Sequence, residues 1–149
     1  MKKLVVARHG QYGHDDRLNE TGRDQVAGLA KKLEAHINSD SVLLLTSPVD
    51  RARESAEIIG SYFGVGLEEH EVLWSENDHP EDFPRALELV KSRQGDVDII
   101  ILMTHFEYVE HFPAYFAKKE LEVELRCRLI EKGEAWVVDC EQKSLIHVA

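Results

Sequence analysis

The sequence predicts an α/β protein: a three-layer α/β/α domain with a mainly parallel sheet and a C-terminal antiparallel hairpin. Three observations predict it. Short apolar runs alternate along the chain with segments of helical periodicity. Two of these runs, at residues 2–7 and 98–104, are apolar enough to be strands buried on both faces. The length of 149 residues fits one domain, 1–149, and is enough to bury a core.

The pattern of residues in the first half of the chain predicts two strand–helix units. Residues 2–7 form the first strand, and a polar loop follows it. Thr21 and Asp24 resemble a capping box, so we expect Thr21 to cap a helix that runs to about His36. Residues 41–46 form a second buried strand, which ends at Ser47-Pro48 because the residue before a proline is pushed to extended geometry. A helix is expected over residues 49–63.

The second half continues the alternation and then changes to strands. We expect a short strand within 67–73, a polar acidic loop over 74–82, a helix over 83–93 and a strand over 98–104. Residues 108–116 have helical spacing but include a proline. Apolar and charged residues alternate over 121–129, which favours an extended segment. Residues 135–139 and 145–148 are expected to form the terminal hairpin.

The composition limits the classes of partner. A net charge of −10 argues against a nucleic-acid surface and against anionic membranes. No run of apolar residues reaches the length of a membrane span, and the N-terminus lacks the pattern of a signal peptide. The two cysteines lack metal-ligand spacing, so we expect free thiols. These features predict a cytoplasmic protein; the oligomeric state stays open.

Cationic side chains follow three of the predicted strands. Arg8 and His9 end the first, Arg51 lies in the first turn of the helix after the second, and His105 ends the strand at 98–104. Parallel strands joined by right-handed crossovers bring such ends to one edge of the sheet, where α/β proteins bind ligands. Guanidinium and imidazole groups suit an oxyanion such as phosphate, and a helix N-terminus adds to that preference.

Four short motifs follow one another along the chain. Residues 4–10 are an apolar strand that ends in Arg-His-Gly, and residues 18–22 have the pattern Leu-x-x-x-Gly. Ser-Pro-x-x-Arg-Ala occurs at 47–52, and Thr-His at 104–105 follows an apolar strand. In these motifs the chain resembles the histidine phosphatase (phosphoglycerate-mutase-like) superfamily. The short length is similar to that of the small phosphohistidine phosphatase branch rather than to full mutases.

The resemblance implies a phosphohistidine mechanism. His9 is expected to be the nucleophile, neutral at the attacking nitrogen, with a pKa kept low by nearby cations. Arg8, Arg51 and a protonated His105 are expected to hold the phosphoryl oxygens. No metal and no other cofactor is expected.

The resemblance also implies a general acid, for which the sequence offers three candidates. In the family it is usually a glutamate in the loop after the third strand, and Glu76 is the best placed here, with Asp78 and His79 as rivals. A phosphohistidine or acyl-phosphate substrate has a good leaving group and would need less protonation. Gly10 ends the first motif and Gln11 follows it, and both are candidates for contact with the substrate.

The leading hypothesis is therefore a metal-independent phosphatase that acts on a phosphorylated small molecule or on a phosphohistidine-bearing protein. A module that binds a phosphorylated partner without catalysis is the main alternative. The intact set of His9, His105, Arg8 and Arg51 argues against it, because loss of the nucleophile is the simplest way to disable such a fold. A phosphoglycerate-mutase-type phosphotransferase is a third reading, disfavoured by the short chain.

Overall fold

Six strands form one mixed sheet in the computed structural model, which describes all of residues 1–149. In chain order they are β1 (Lys3–Arg8), β2 (Val42–Thr46), β3 (Leu67–Glu69), β4 (Ile99–Thr104), β5 (Ala135–Asp139) and β6 (Ser144–Val148). Their order across the sheet is β3-β2-β4-β1-β5-β6. The first four run parallel to one another, and β5 and β6 are antiparallel additions. The predicted fold class is confirmed.

Four α-helices cover the two faces of the sheet: α1 (Glu20–Leu33), α2 (Asp50–Phe63), α3 (Phe83–Arg93) and α4 (Phe106–Phe116). Helices α1 and α2 share one hydrophobic core, and α3 and α4 share the other. Side chains of β1 alternate between these cores: Val5 points into the first and Val6 into the second. Burial on both faces explains why β1 and β4 are almost continuously apolar.

The register of the parallel strands aligns their carboxyl ends. Arg8 at the end of β1 lies beside Thr104 at the end of β4, and Thr46 at the end of β2 lies beside Met103. The residues that follow β1, β2 and β4 in the chain therefore lie together at one edge of the sheet. No helix has the length and apolar character needed to cross a membrane.

The start of α1 differs from the sequence prediction. Asn19, not Thr21, is the N-cap: its side-chain oxygen accepts from the backbone N–H of Gly22 over 2.8 Å. Thr21 already lies inside the first turn. Asparagine is at least as good a cap as threonine, and capping two residues earlier places Gly22 against the loop that follows β1.

The short strand expected within 67–73 is present as β3, whereas the extended segment expected over 121–129 does not join the sheet. Of residues 67–73 only Leu67–Glu69 pair, as an edge strand, and Glu71–Leu73 form a 3₁₀ turn. Residues 121–129 have no partner in the sheet; α4 continues as a π-helical turn over Ala117–Leu121, and an irregular segment follows. The alternation of this segment corresponds to half-buried and exposed side chains over the second core rather than to a strand.

Candidate active site

A cleft of about 450 Å³ opens at the edge of the sheet where β1, β2 and β4 end. Its walls are mostly polar, and they come from the strand ends, the first turns of α2 and α4, and the loops around residues 12, 75–81 and 132. The lining residues are Arg8, His9, Tyr12, Arg51, Ser75, Glu76, Asn77, Pro80, Glu81, His105, Phe106, Glu107 and Lys132. The predicted convergence of Arg8, His9, Arg51 and His105 is thus observed.

His9 is buried at the floor of the cleft with a defined tautomer. Its Nδ1 lies 2.8 Å from the carbonyl oxygen of Gly10. Because a carbonyl only accepts, Nδ1 carries the proton and Nε2 is the unprotonated nitrogen with the lone pair. The pKa of His9 is lowered to about 3, chiefly by burial; the hydrogen bond to Gly10 opposes this shift, and the charges of Arg51 and Arg8 add to it. The pKa is low as predicted, but burial rather than the cations is the main cause.

Arg51 connects the two histidines. Its Nε donates to Nε2 of His9 over 3.3 Å, and its Nη2 lies 3.4 Å from Nδ1 of His105. The guanidinium is almost fully buried, and it forms an ion pair with Asp16 and approaches Glu76 Oε2 at 3.6 Å. The ring of Tyr12 stacks against it, 4.8 Å from ring centroid to Cζ. The first turn of α2 therefore places a positive charge directly over the lone pair of His9.

His105 precedes the first turn of α4 and is buried beside His9, with 5.2 Å between ring centroids. Because the guanidinium of Arg51 can only donate, Nδ1 of His105 is the acceptor and Nε2 carries the proton, which it donates to Ser47 Oγ over 2.9 Å. Burial lowers the pKa of His105 to about 2, with the nearby charges of His9 and Arg51 as smaller causes. His105 is thus neutral in the free protein.

Arg8 presents one nitrogen that no protein group satisfies. Its Nη1 donates to the carbonyl of Ile130 over 2.7 Å, but Nε is buried without a hydrogen-bond partner. Burial lowers the pKa of Arg8, and the carboxylates of Glu131 and Glu107 oppose that effect. A buried N–H without an acceptor costs about 1–3 kcal/mol, and an anion in the cleft is the partner that would remove that cost.

Glu76 lines the cleft, whereas its two rivals do not. Oε1 of Glu76 accepts from the indole N–H of Trp74 over 2.8 Å, and Oε2 faces Arg51. His79 stacks on Trp74 with 4.1 Å between ring centroids, and Asp78 lines a separate small pocket with it. Of the acids weighed from the sequence, only Glu76 has its side chain at the cleft.

The two remaining candidates, Gly10 and Gln11, lie outside the lining of the cleft. The backbone N–H of Gly10 donates to Ser55 Oγ over 3.1 Å, and a Cβ at this position would lie 2.5 Å from the carbonyl oxygen of Gly22. Gln11 is exposed, and its N–H donates to Gln25 Oε1 over 2.9 Å. Gly10 therefore allows a close approach to α1; contact of Gly10 or Gln11 with substrate stays a prediction.

Sequence reasoning missed several residues that line the cleft or contact its side chains. Asp16 reaches Arg51 from the loop after β1, Glu107 enters from the first turn of α4, and Lys132 enters from the turn before β5. Only Glu107 had a usable signal, because it follows the predicted site histidine by two residues at the start of a helix. No group of three or more His, Cys, Asp or Glu side chains has an arrangement that could hold a metal ion.

Comparison with known proteins agrees with this geometry. The model of the histidine phosphatase superfamily, branch 1, matches residues 4–77, a span that includes Arg8, His9 and Arg51. The motifs at the ends of β1 and β2 both lie within this matched span. The chain belongs to the histidine phosphatase superfamily, and its enzyme class is that of a histidine-type phosphatase. The resemblance inferred from the sequence motifs is confirmed.

Solved structures with the same fold include phosphatases and a mutase. The protein histidine phosphatase SixA complexed with tungstate superposes with a TM-score of 0.71 at 15% identity, over 99% of this chain and 94% of its own. The native mycobacterial glucosyl-3-phosphoglycerate phosphatase has a TM-score of 0.65 at 18% identity, over 99% and 97%. Phosphoglycerate mutase from Plasmodium falciparum has a TM-score of 0.62 at 22% identity, over 99% and 89%. These likenesses concern the fold. No curated protein matches the chain.

Proposed function

We propose that the chain hydrolyses a phosphomonoester or a protein phosphohistidine, without a metal, through a covalent phosphohistidine on His9. One observation carries this proposal: the hydrogen bond from Nδ1 of His9 to the Gly10 carbonyl leaves the lone pair of Nε2 in the cleft, beside Arg51. A neutral, fixed imidazole next to fixed cations is what attack on a phosphoryl group requires.

In the first step, Nε2 of His9 attacks phosphorus and forms a P–N bond. The bond from phosphorus to the leaving oxygen or nitrogen breaks, and the electron pair departs with that atom, which takes a proton from an acid in the cleft. The phosphorylated imidazole keeps its Nδ1 proton on the Gly10 carbonyl. The Nε–H of Arg8, which has no protein partner, and the guanidinium of Arg51 bind the phosphoryl oxygens.

In the second step, water attacks phosphorus and gives a proton to the carboxylate left by the first step. The P–N bond breaks, its electron pair returns to Nε2 of His9, and inorganic phosphate leaves. His105 contributes by holding a phosphoryl oxygen. It is neutral in the free protein, and we expect a bound dianion to favour its protonated form, so that phosphate binding takes up a proton.

The substrate classes follow from the open, polar cleft and from the relatives. Proteins with this fold include one named as a protein histidine phosphatase and one named as a glucosyl-3-phosphoglycerate phosphatase, whose substrate is a small molecule. The cleft lies at the surface of the sheet edge, and an exposed aromatic side chain, Phe106, stands beside it. We propose that residues 1–149 act as one domain in the cytoplasm on one of these two classes of substrate.

Hydrolysis of an aryl phosphate and of phosphohistidine, with and without a chelator, tests the proposal. We expect turnover that survives the chelator and falls at least about a thousandfold in His9→Ala, because the nucleophile is lost. His111→Ala is the matched control, since that histidine is exposed on α4 and outside the cleft.

Three results would contradict the proposal in different ways. Activity retained in His9→Ala would exclude His9 as the nucleophile. Loss of activity with the chelator would indicate metal-dependent chemistry. A wild-type protein that binds phosphate but hydrolyses neither compound would point to the non-catalytic binding module.

A further inference from the structure

The chemistry proposed for His9 needs a carboxyl group that gives a proton to the leaving group and takes one from water. Three glutamates line the cleft: Glu76, Glu81 and Glu107. Such a group must lie close to the phosphoryl site, hold a fixed position and have an oxygen free to exchange a proton with the substrate. The three differ clearly on these points.

Glu76 and Glu81 each fail one requirement. Both oxygens of Glu76 already face N–H donors, from Trp74 and from Arg51, so this carboxylate holds the guanidinium that binds phosphate. Glu81 is exposed on the loop before α3, where water surrounds its carboxylate and no helix or strand fixes its backbone.

Glu107 meets all the requirements. It lies in the first turn of α4, two residues after His105, on a rigid element that begins at the phosphoryl site. Its Oε2 is buried and has no hydrogen-bond partner. It lines the same cleft as Arg8 and His9. The cost of leaving a buried carboxyl oxygen unpaired is about 1–3 kcal/mol, and a substrate group that completes the bond would offset it.

From this arrangement we propose that Glu107 is the general acid and base of the reaction. In the first step its carboxyl proton passes to the leaving oxygen or nitrogen as the bond from that atom to phosphorus breaks. In the second step the resulting carboxylate accepts a proton from the water that attacks the phosphohistidine, which restores the acid. Glu76 instead positions Arg51. This assignment rests on the proposed function of the same cleft.

Two aryl phosphates separate these roles. 4-Nitrophenol is a stronger acid than phenol, so its anion is the better leaving group. The 4-nitrophenolate of 4-nitrophenyl phosphate therefore leaves without protonation, whereas the phenolate of phenyl phosphate needs a proton. We expect Glu107→Gln to lower kcat/KM for phenyl phosphate about a hundredfold or more and for 4-nitrophenyl phosphate less than about tenfold. We expect Glu76→Gln to lower kcat/KM for both substrates by the same factor, since weaker binding of the phosphoryl group by Arg51 does not depend on the leaving group.

Glu110→Gln is the matched control. It removes the same charge from the same helix, one turn further on and outside the cleft, and it should leave both rates near those of the wild type. Mass spectrometry of the intact protein gives a second readout. With 4-nitrophenyl phosphate, Glu107→Gln should accumulate the phosphorylated protein, because hydrolysis of the P–N bond loses its base while formation of that bond does not need the acid.

The assignment is overturned if Glu107→Gln lowers the two rates equally without accumulating phosphoprotein, or if Glu76→Gln is the variant that depends on the leaving group. Failure of the proposed function has a different signature: wild-type protein that never becomes phosphorylated, or His9→Ala that still hydrolyses both compounds. The two failures are therefore distinguishable in one set of measurements.

Discussion

Asp16 forms an ion pair with Nη1 of Arg51, so a carboxylate of the protein's own loop contacts the guanidinium proposed to bind phosphate. Asp16 adopts a left-handed conformation, with φ of 65°, and its side chain is 42% exposed. Aspartate tolerates that backbone conformation better than most residues do. A phosphate that enters the cleft must share Arg51 with this carboxylate or displace it.

We therefore expect Asp16→Asn to bind inorganic phosphate more tightly. A partly exposed ion pair contributes about 0.2–1 kcal/mol, which corresponds to a gain in affinity of up to about fivefold. Isothermal titration calorimetry at constant salt measures the affinity. Asp15→Asn makes the same change in net charge one residue away, where the carboxylate accepts from the N–H of Arg17. Equal affinities in the two variants would show that Asp16 does not compete with phosphate.

The two buried histidines should make the protein less stable in acid. Unfolded histidine takes up a proton below about pH 6.5, whereas in the folded protein the pKa of His9 is about 3 and that of His105 about 2. Between these limits the unfolded chain binds more protons, so the free energy of unfolding falls as the pH falls. Each histidine contributes a slope of about 1.4 kcal/mol per pH unit.

Urea unfolding of the wild type and of His105→Gln between pH 4 and 6 measures this slope. The variant keeps a polar side chain but cannot titrate in this range, so its stability should depend on pH less steeply by about 1.4 kcal/mol per unit. The exposed His111 supplies the control variant His111→Gln, whose slope should match that of the wild type. Parallel curves for wild type and His105→Gln would mean that His105 is protonated in the folded protein.

The sequence was sufficient for the floor of the cleft because strand ends obey simple geometry. Arg8, His9 and His105 follow apolar runs, Arg51 follows a proline-terminated strand, and parallel pairing aligns those ends. The sheet sets the positions of residues at strand ends and helix starts. The strands of that sheet can be predicted from the pattern of apolar residues alone.

The rim of the cleft could not be predicted in the same way, because it depends on how loops fold back. Lys132 reaches the cleft only because the N–H of Gly133 donates to the carbonyls of Arg8 and His9, at 3.2 and 3.1 Å, with a φ of 75° at that glycine. Asp16 likewise depends on a left-handed residue in an irregular loop. The positions of Lys132 and Asp16 depend on loop conformation, and no periodicity or spacing in the sequence predicts them.

A steric contact between α1 and the loop after β1 gives the last prediction. A Cβ on Gly22 would lie 2.0 Å from the carbonyl oxygen of Gln11, a backbone atom that cannot move without shifting Gly10 and the end of β1. Gly22→Ala should therefore destabilise the protein by about 1–3 kcal/mol and lower hydrolysis, since the Gly10 carbonyl fixes the tautomer of His9.

Gly28→Ala, two turns along the same helix, has no atom within 4 Å of its Cβ. It should stabilise the protein by about 0.5–1 kcal/mol and leave hydrolysis unchanged, because alanine is the better helix former and nothing opposes its methyl group. Urea unfolding and hydrolysis of an aryl phosphate measured on both variants separate the two effects. If the two alanines behaved alike, helix propensity alone would govern this helix, and the contact between Gly22 and Gln11 would have no role in holding the nucleophile.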